Sequence, residues 1–213
     1  MKCPVCQSLA AAPYATIRAF EYWRCATCAA IFLDPRQHPS PEVEARKYQQ
    51  HQNSVDDAGY RRFLSILTTP LLARLPGAQC GLDFGCGPGP ALAHMLREAG
   101  HSVALYDPIF FPDDAVLASH YDFVTCSEVA EHFHSPAPAF VQLFGLLRPG
   151  GLLAVMTGFP PPLAQFANWH YRRDPTHVVF YQPATLQWLA REHGASCEIP
   201  CRNVAMLRLR AEG

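Results

Sequence analysis

The stretch Leu82-Asp83-Phe84-Gly85-Cys86-Gly87-Pro88-Gly89 constrains the fold more than any other part of this chain. An apolar run ending in a carboxylate passes into a glycine-rich turn, and a helical pattern follows. Glycines at 85, 87 and 89 let the backbone turn tightly and bring peptide N–H groups close to a ligand, while the next helix adds the partial positive charge of its N-terminus. Such a junction suits a nucleoside-bearing cofactor. Several cofactor classes and plain structural turns share it, so the surrounding residues must discriminate.

From Cys80 onward, strand and helix patterns alternate at the spacing of right-handed parallel βαβ units, which predicts an α/β fold with a doubly wound, mostly parallel sheet. Strands are expected at 80–84, 102–106, 121–126 and 152–157, helices at 91–99, 138–147 and 185–193, and a terminal hairpin at 195–199 and 204–210. Pro149-Gly150-Gly151 is expected to stop the helix at 138–147, and residues 109–120 are too short for a full strand–helix unit. Asp107 closes the second strand 20 residues after Gly87, where a carboxylate can accept from a ribose diol. Pro88 removes one N–H from the loop and leaves those of Gly87 and Gly89 for a ligand. Upstream, Pro35, Pro39 and Pro41 mark a connector. Ser40 as N-cap then opens a helix to about Gln50, and a second helix at 57–75 carries Tyr60, Phe63, Leu64, Leu67, Leu71 and Leu72 on one side before Pro76-Gly77.

Nine cysteines in a chain that opens without an apolar export segment point to thiol or metal chemistry rather than disulfides. Cys3-x2-Cys6 and Cys25-x2-Cys28 have 18 residues between them, the spacing of a four-thiolate zinc site. Each pair can form a knuckle that aims two sulfurs at one tetrahedral ion, with a hairpin in between. With all four ligands cysteine there is no open coordination position, so the expected Zn2+ is structural. A ribbon of about 30 residues has too little core to fold unaided. Tyr22, Trp23, Ile31 and Phe32 would pack it or dock it. The resulting expectation is a zinc-ribbon-like domain at 1–34, a linker with helices at 35–78, and a cofactor-binding domain at 79–213.

Composition narrows the function classes. With 213 residues and 49% hydrophobic content the chain can bury one α/β core and a small appendage. No run of about 18 apolar residues occurs, so a cytoplasmic protein is expected and a membrane partner is not. Lys and Arg number 17 against 18 Asp and Glu, which leaves no global basic field for nucleic acid.

The order of these motifs resembles the class I S-adenosylmethionine-dependent methyltransferases over about residues 80–210. Besides Asp83 through Gly89 and Asp107, the segment Tyr121-Asp122-Phe123-Val124-Thr125-Cys126-Ser127-Glu128-Val129-Ala130-Glu131-His132 is similar to that family's fourth-strand motif. Leu147-Arg148-Pro149-Gly150-Gly151-Leu152-Leu153 is similar to its turn into the fifth strand. The resemblance implies that S-adenosyl-L-methionine is held by Asp83, Gly85, Cys86, Gly87, Gly89, Asp107, Pro108, Ser127 and Glu128. It implies in-line attack by an acceptor on the sulfonium methyl, which depends chiefly on positioning.

A base is needed where the acceptor must lose a proton, which makes His132, beside Glu131 at the carboxyl edge of the sheet, and His177 the candidate catalytic residues. Phe159, Trp169, Tyr171 and Tyr181 are candidates for an apolar acceptor wall, at least half of them expected in packing roles. Pro160-Pro161-Pro162 reads as part of a stiff lid. A small-molecule acceptor, such as a sugar, a nucleotide-linked sugar or a secondary metabolite, is favoured. The alternative of ribosomal or transfer RNA gripped by the ribbon calls for clustered cations, yet only Arg18 and Arg24 lie between Cys3 and Cys28. A non-enzymatic cofactor-binding scaffold is the third reading.

Overall fold

The computed structural model describes residues 1–50 and 54–211. The N-terminal hairpin consists of β1 (Ala11–Ile17) and β2 (Phe20–Cys25), followed by β3 (Ile31–Leu33). Helices α1 (Pro41–Tyr48) and α2 (Ala58–Leu72) lead into β4 (Cys80–Phe84), α3 (Ala91–Glu98), β5 (Ser102–Tyr106), β6 (Tyr121–Ser127), α4 (Pro136–Gly145) and β7 (Leu147–Met156). The chain closes with a short α5 (Leu163–Phe166), β8 (Val179–Phe180), α6 (Pro183–Glu192), β9 (Ala195–Cys201) and β10 (Val204–Leu209).

The main sheet has the order β5-β4-β6-β7-β10-β9, with the first four strands parallel and β10 antiparallel to both neighbours. Its two faces follow from the two-residue strand period. Phe123 of β6, Leu152, Ala154 and Met156 of β7, and Val204 and Met206 of β10 share one core cluster with Leu64, Leu67 and Leu71 of α2 and Leu92 and Leu96 of α3. The intervening Val124, Cys126, Leu153, Val155, Ala205 and Leu207 join Phe140, Leu143 and Phe144 of α4 and Leu186 and Leu189 of α6 on the other face. A sheet covered on both faces reads as continuous apolar runs, as these strands do.

Several boundaries differ from the sequence expectation. The helix expected at 138–147 starts at Pro136, which takes a first-turn position that needs no N–H, and ends at Gly145. Pro149-Gly150-Gly151 therefore stops no helix. It lies inside β7, where the pairing jumps from Tyr121 opposite Leu147 to Phe123 opposite Leu152, and Gly150 takes φ +78° in the resulting bulge. Residues 109–120 contribute only a 3-10 turn at Asp114–Ala118, so β5 is the edge of the sheet. Phe63 falls off the buried stripe of α2, 40% exposed, because Leu64, Leu67, Thr68 and Leu71 define the face toward the sheet.

The cysteine-bearing segment forms a second sheet of order β1-β2-β3-β8, in which Ile31 and Phe32 pair with Phe180 and Val179. Each knuckle ends in a left-handed residue directly after its second cysteine, Gln7 at φ 62° and Ala29 at φ 61°. Tyr22, Ile31 and Phe32 are buried in one cluster with Phe140, Leu153 and Leu186 of the main sheet's layer. Phe166 of α5 meets the rings of Tyr14 at 5.6 Å and Tyr22 at 5.2 Å. The Pro160–Pro162 segment thus leads into ribbon packing and forms no lid. Among the described residues, no helix is long and apolar enough to cross a membrane.

Gly81 shows how closely β4 meets β6: a Cβ there would lie 2.1 Å from the Phe123 ring. Gly81→Ala is expected to lower stability by about 1–3 kcal/mol, an overpacking cost read from the urea midpoint. An unchanged midpoint would rule out this tight contact.

Candidate functional site

The carboxyl ends of β4, β5 and β6 open into a cleft of about 710 Å³, a volume in the range of ligand pockets. Its floor is the glycine loop. Gly85 sits at φ +75°, where a Cβ would come within 2.4 Å of Val129, and Gly87 sits at φ +64°. Both conformations disfavour any other residue. The N–H groups of Gly85 and Cys86 donate to the Tyr106 carbonyl at 2.7 and 3.2 Å, tying the loop to the end of β5.

Asp107 organises that corner. Its Oδ2 accepts from the Gly87 N–H at 3.0 Å, and its Oδ1 from the N–H groups of Ile109 and Phe110 at 2.9 and 3.0 Å. The Gly87 N–H expected to serve a ligand is therefore spent on Asp107. A carboxylate offers about four lone-pair positions, so the three backbone bonds leave capacity for a hydroxyl in the cleft that Asp107 lines. Ser127 also lines the cleft, and its buried Oγ has no hydrogen-bond partner. A buried hydroxyl without a partner is costly, so a polar ligand atom at this point fits the residues present.

Of the residues expected to hold the cofactor, Gly85, Cys86, Gly87, Asp107, Pro108, Ser127 and Glu128 line the cleft. Asp83 and Gly89 do not. Asp83 lies fully beneath the loop, where its Oδ1 accepts from Thr125 Oγ1 at 2.7 Å. Burial pushes its carboxyl up to about 6, against the pull of the hydrogen bonds from Thr125 and the Ala93 backbone. Burial together with the nearby Glu131 carboxylate pushes Glu128 up to about 9. Glu128 also holds φ 55°, an unusual conformation for a residue with a Cβ.

His132 lines the cleft; His177 packs behind it, with the two rings 4.7 Å apart. His132 Nδ1 is 3.0 Å from the Thr176 carbonyl, and His177 Nδ1 is 2.7 Å from the Tyr171 carbonyl. Burial lowers the His177 pKa, which favours the neutral ring. Glu131 is wholly buried and accepts from Thr157 Oγ1 at 2.8 Å and from Tyr171 OH at 2.5 Å. None of the expected acceptor-wall aromatics lines the cleft. Tyr181 is fully buried and donates to the Ala130 carbonyl at 2.9 Å, while Trp169 stacks on Tyr171 at 5.1 Å.

The wall comes instead from residues the sequence reading did not single out for the site. Glu44, Ala45 and Tyr48 of α1, Tyr60 of α2, and Phe84, Tyr106, Phe110 and Phe133 enclose the cleft. Tyr48 meets His132 edge-on at 5.4 Å. The one sequence signal was the i, i+4 pairing of Glu44 with Tyr48, which puts them on one face of the helix expected from Ser40 to about Gln50.

In the ribbon, the sulfurs of Cys3, Cys6, Cys25 and Cys28 all lie within 4.8 Å of one another. The Cys3–Cys28 and Cys6–Cys25 separations are 3.6 and 3.4 Å. A disulfide requires about 2.05 Å. Four sulfurs around one zinc at about 2.3 Å stand roughly 3.8 Å apart, so the cluster is compatible with a zinc ribbon.

The raised Asp83 carboxyl makes a stability prediction with a definite sign. A group whose folded pKa exceeds its unfolded value of 3.8 contributes its full stabilisation below that value and loses it as pH rises through about 6. Relative to Asp83→Asn, the wild type should therefore lose roughly 1–3 kcal/mol between pH 4 and 7 in paired urea titrations. A stability difference that stays constant across this window would reject the buried ionisation.

Comparison with known proteins places this geometry in a family. A family model described as a methyltransferase domain matches residues 57–198. The ubiquinone biosynthesis O-methyltransferase of Colwellia psychrerythraea is 31% identical over 137 residues, covering 59% of this chain and 55% of that protein. An uncharacterized methyltransferase of Mycobacterium tuberculosis is 29% identical over 114 residues, covering 44% of this chain and 57% of that one. The chain spans little more than half the length of these curated relatives. Among solved structures, the 1,6-didemethyltoxoflavin-N1-methyltransferase of Burkholderia thailandensis, with S-adenosylhomocysteine bound, aligns at a TM-score of 0.53 and 15% identity over 94% of this chain and 99% of that one. CalO1, a methyltransferase in calicheamicin biosynthesis, aligns at 0.50 and 16% identity over 80% of this chain and 58% of that one. The two solved structures establish the fold, and the domain match establishes the family: the chain belongs to the class I S-adenosylmethionine-dependent methyltransferases.

Proposed function

We propose that this protein transfers the methyl group of S-adenosylmethionine to an oxygen of a small molecule, in the class of sugars, nucleotide-linked sugars or secondary metabolites. The observation that carries the small-molecule reading is the lining of the cleft. Among its described residues there is no Lys or Arg, while Glu44, Asp107 and Glu128 contribute carboxyl groups and Tyr48, Tyr60, Phe84, Tyr106 and Phe133 contribute rings. A site that holds a nucleic-acid backbone needs cations where this one has acids. The curated relative named as an O-methyltransferase supports oxygen as the acceptor atom.

The cofactor would supply an electrophilic methyl: the acceptor oxygen bonds to its carbon as the carbon–sulfur bond breaks, the electron pair stays with sulfur, and the hydroxyl proton passes to His132 or to solvent. The protein's share is positioning. Gly85 and Gly87 let the loop come close to the methionine end, with Cys86 and Pro108 beside them. Asp107 would accept from the ribose hydroxyls, and Ser127 and Glu128 would supply polar contacts from the same cleft wall. Asp83 and Gly89 support the loop from below and behind. On the acceptor side we place His132, with His177 packed against it. Holding the reactants in line is worth up to about 7–11 kcal/mol in well-oriented systems. The four-cysteine cluster holds a structural zinc that stabilises the ribbon.

Calorimetry with S-adenosylmethionine and with a nicotinamide dinucleotide tests the donor. Binding of the former alone is expected, and Asp107→Ala should weaken it about tenfold or more, the cost of a lost charged hydrogen bond. Tight binding of only the dinucleotide would overturn the reading. For the acceptor, transfer of labelled methyl into an RNA pool but into no hydroxylated metabolite would sink the small-molecule assignment. Elemental analysis should find one zinc per chain, lost together with thermal stability in Cys25→Ser. A fully stable, zinc-free wild type would exclude the structural role.

A further inference from the structure

Behind the cleft wall, Glu131, His132 and His177 each place one metal-ligating atom within 4.8 Å of the other two. The hydrogen bonds around them fix the tautomers of the two rings. A carbonyl oxygen can only accept, so the contacts of His132 Nδ1 with the Thr176 carbonyl and of His177 Nδ1 with the Tyr171 carbonyl put the ring proton on Nδ1 in both histidines. Each ring then presents an Nε2 lone pair. An Nδ1–H anchored on a backbone carbonyl is the support that metal-binding histidines commonly have, because it fixes the tautomer and raises the basicity of Nε2. Glu131 is held in the same way, by the hydroxyls of Thr157 and Tyr171.

The charge arrangement also suits a cation. Glu131 is a wholly buried carboxyl group with no Lys or Arg within ion-pairing distance among the described residues; its ion pair is with His132, Nε2 to Oε1 at 3.9 Å. Glu128 stands three residues away at the cleft wall. Buried carboxylates are ordinarily paired or coordinate metals. An ion held at about 2.1 Å sets its ligand atoms roughly 3 to 3.5 Å apart, so the separation of 3.9 Å need close by less than about 1 Å.

We infer that Glu131, His132 and His177 form a second metal site, for a divalent transition cation, at the acceptor side of the cleft. Two imidazoles and one carboxylate suit zinc, iron or manganese better than magnesium, and three protein ligands leave coordination positions open. Because His132 lines the cleft, an open position reaches the space where the acceptor lies. A cation there would polarise an acceptor hydroxyl and select oxygen ligands that can chelate, such as vicinal diols. That role rests on the methyl-transfer reading; the cation site itself does not.

Manganese alone is the probe. The full chain, its cysteine cluster first filled with zinc, is titrated with Mn2+ while the six-line resonance of the free ion is followed. Saturation at one Mn2+ per chain is expected, with at least a tenfold loss of affinity in His177→Gln and in the His132→Gln/His177→Gln pair. Melting curves confirm that the variants are folded. Tyr171→Phe, which keeps every candidate ligand and deletes one hydroxyl donor to Glu131, should weaken the ion about tenfold and carries the test if the histidine variants do not fold. No saturable Mn2+ binding by the wild type, or undiminished binding in the folded variants, overturns the proposal. Calorimetry with S-adenosylmethionine on the same sample keeps the two readings apart: cofactor binding without Mn2+ sinks only the cation site, and Mn2+ binding without cofactor sinks only the methyl-transfer reading.

Discussion

Because helices cover both faces of the main sheet, polar chemistry has nowhere to surface except at the strand ends, and the rest of the molecule is arranged around that restriction. Phe123, Leu152 and Met156 face α2 and α3, while Val124, Leu153 and Val155 face α4 and α6. The polar residue that β6 buries completely is tied off. Thr125 donates to Asp83, which lies under the glycine loop. Beyond the last apolar position, the chain turns at Ser127 and Glu128 into the cleft, the usual ligand position in open α/β sheets.

The loop itself is held by backbone groups more than by side chains. Tyr106 supplies the carbonyl that receives Gly85 and Cys86, and Asp107 gathers N–H groups from both sides of the crevice. A carboxylate satisfied by three amides is fixed before any ligand arrives. Such preorganisation lowers the ordering cost of binding.

The ribbon is bound into the same framework. The Val178 N–H donates to the Glu131 carbonyl at 2.9 Å, and the Leu33 N–H donates to the Val178 carbonyl at 2.8 Å, so a single residue links β3 to the segment that carries His132. Tyr181 reaches the Ala130 carbonyl from the next turn of chain. Disturbance of the ribbon therefore has a short covalent and hydrogen-bonded route to the acceptor side of the cleft. Phe166, Tyr22 and Phe180 fill the space between the two sheets with edge-on ring contacts.

Whatever depends on neighbours along the chain was legible in the sequence. The strand–glycine–helix junction at 82–89, the strands that begin at Cys80, Ser102 and Tyr121, the terminal hairpin and the pairing of two C-x-x-C knuckles each follow from local periodicity, turn chemistry or ligand spacing. Pro149-Gly150-Gly151 misled because a proline–glycine run breaks a helix and bulges a strand equally well, and only the pairing partner Tyr121 decides between them. The placement of α1 against the cleft was decided by tertiary structure alone, as was the addition of Val179–Phe180 to the ribbon sheet. So too was the convergence of Glu131, His132 and His177, two adjacent residues and a third 45 positions further on, which meet where the Val178 N–H donates to the Glu131 carbonyl, just before β8 begins. Local patterns fix what each segment becomes; which side chains share a cavity depends on packing between segments distant in sequence, and no local energy term records that.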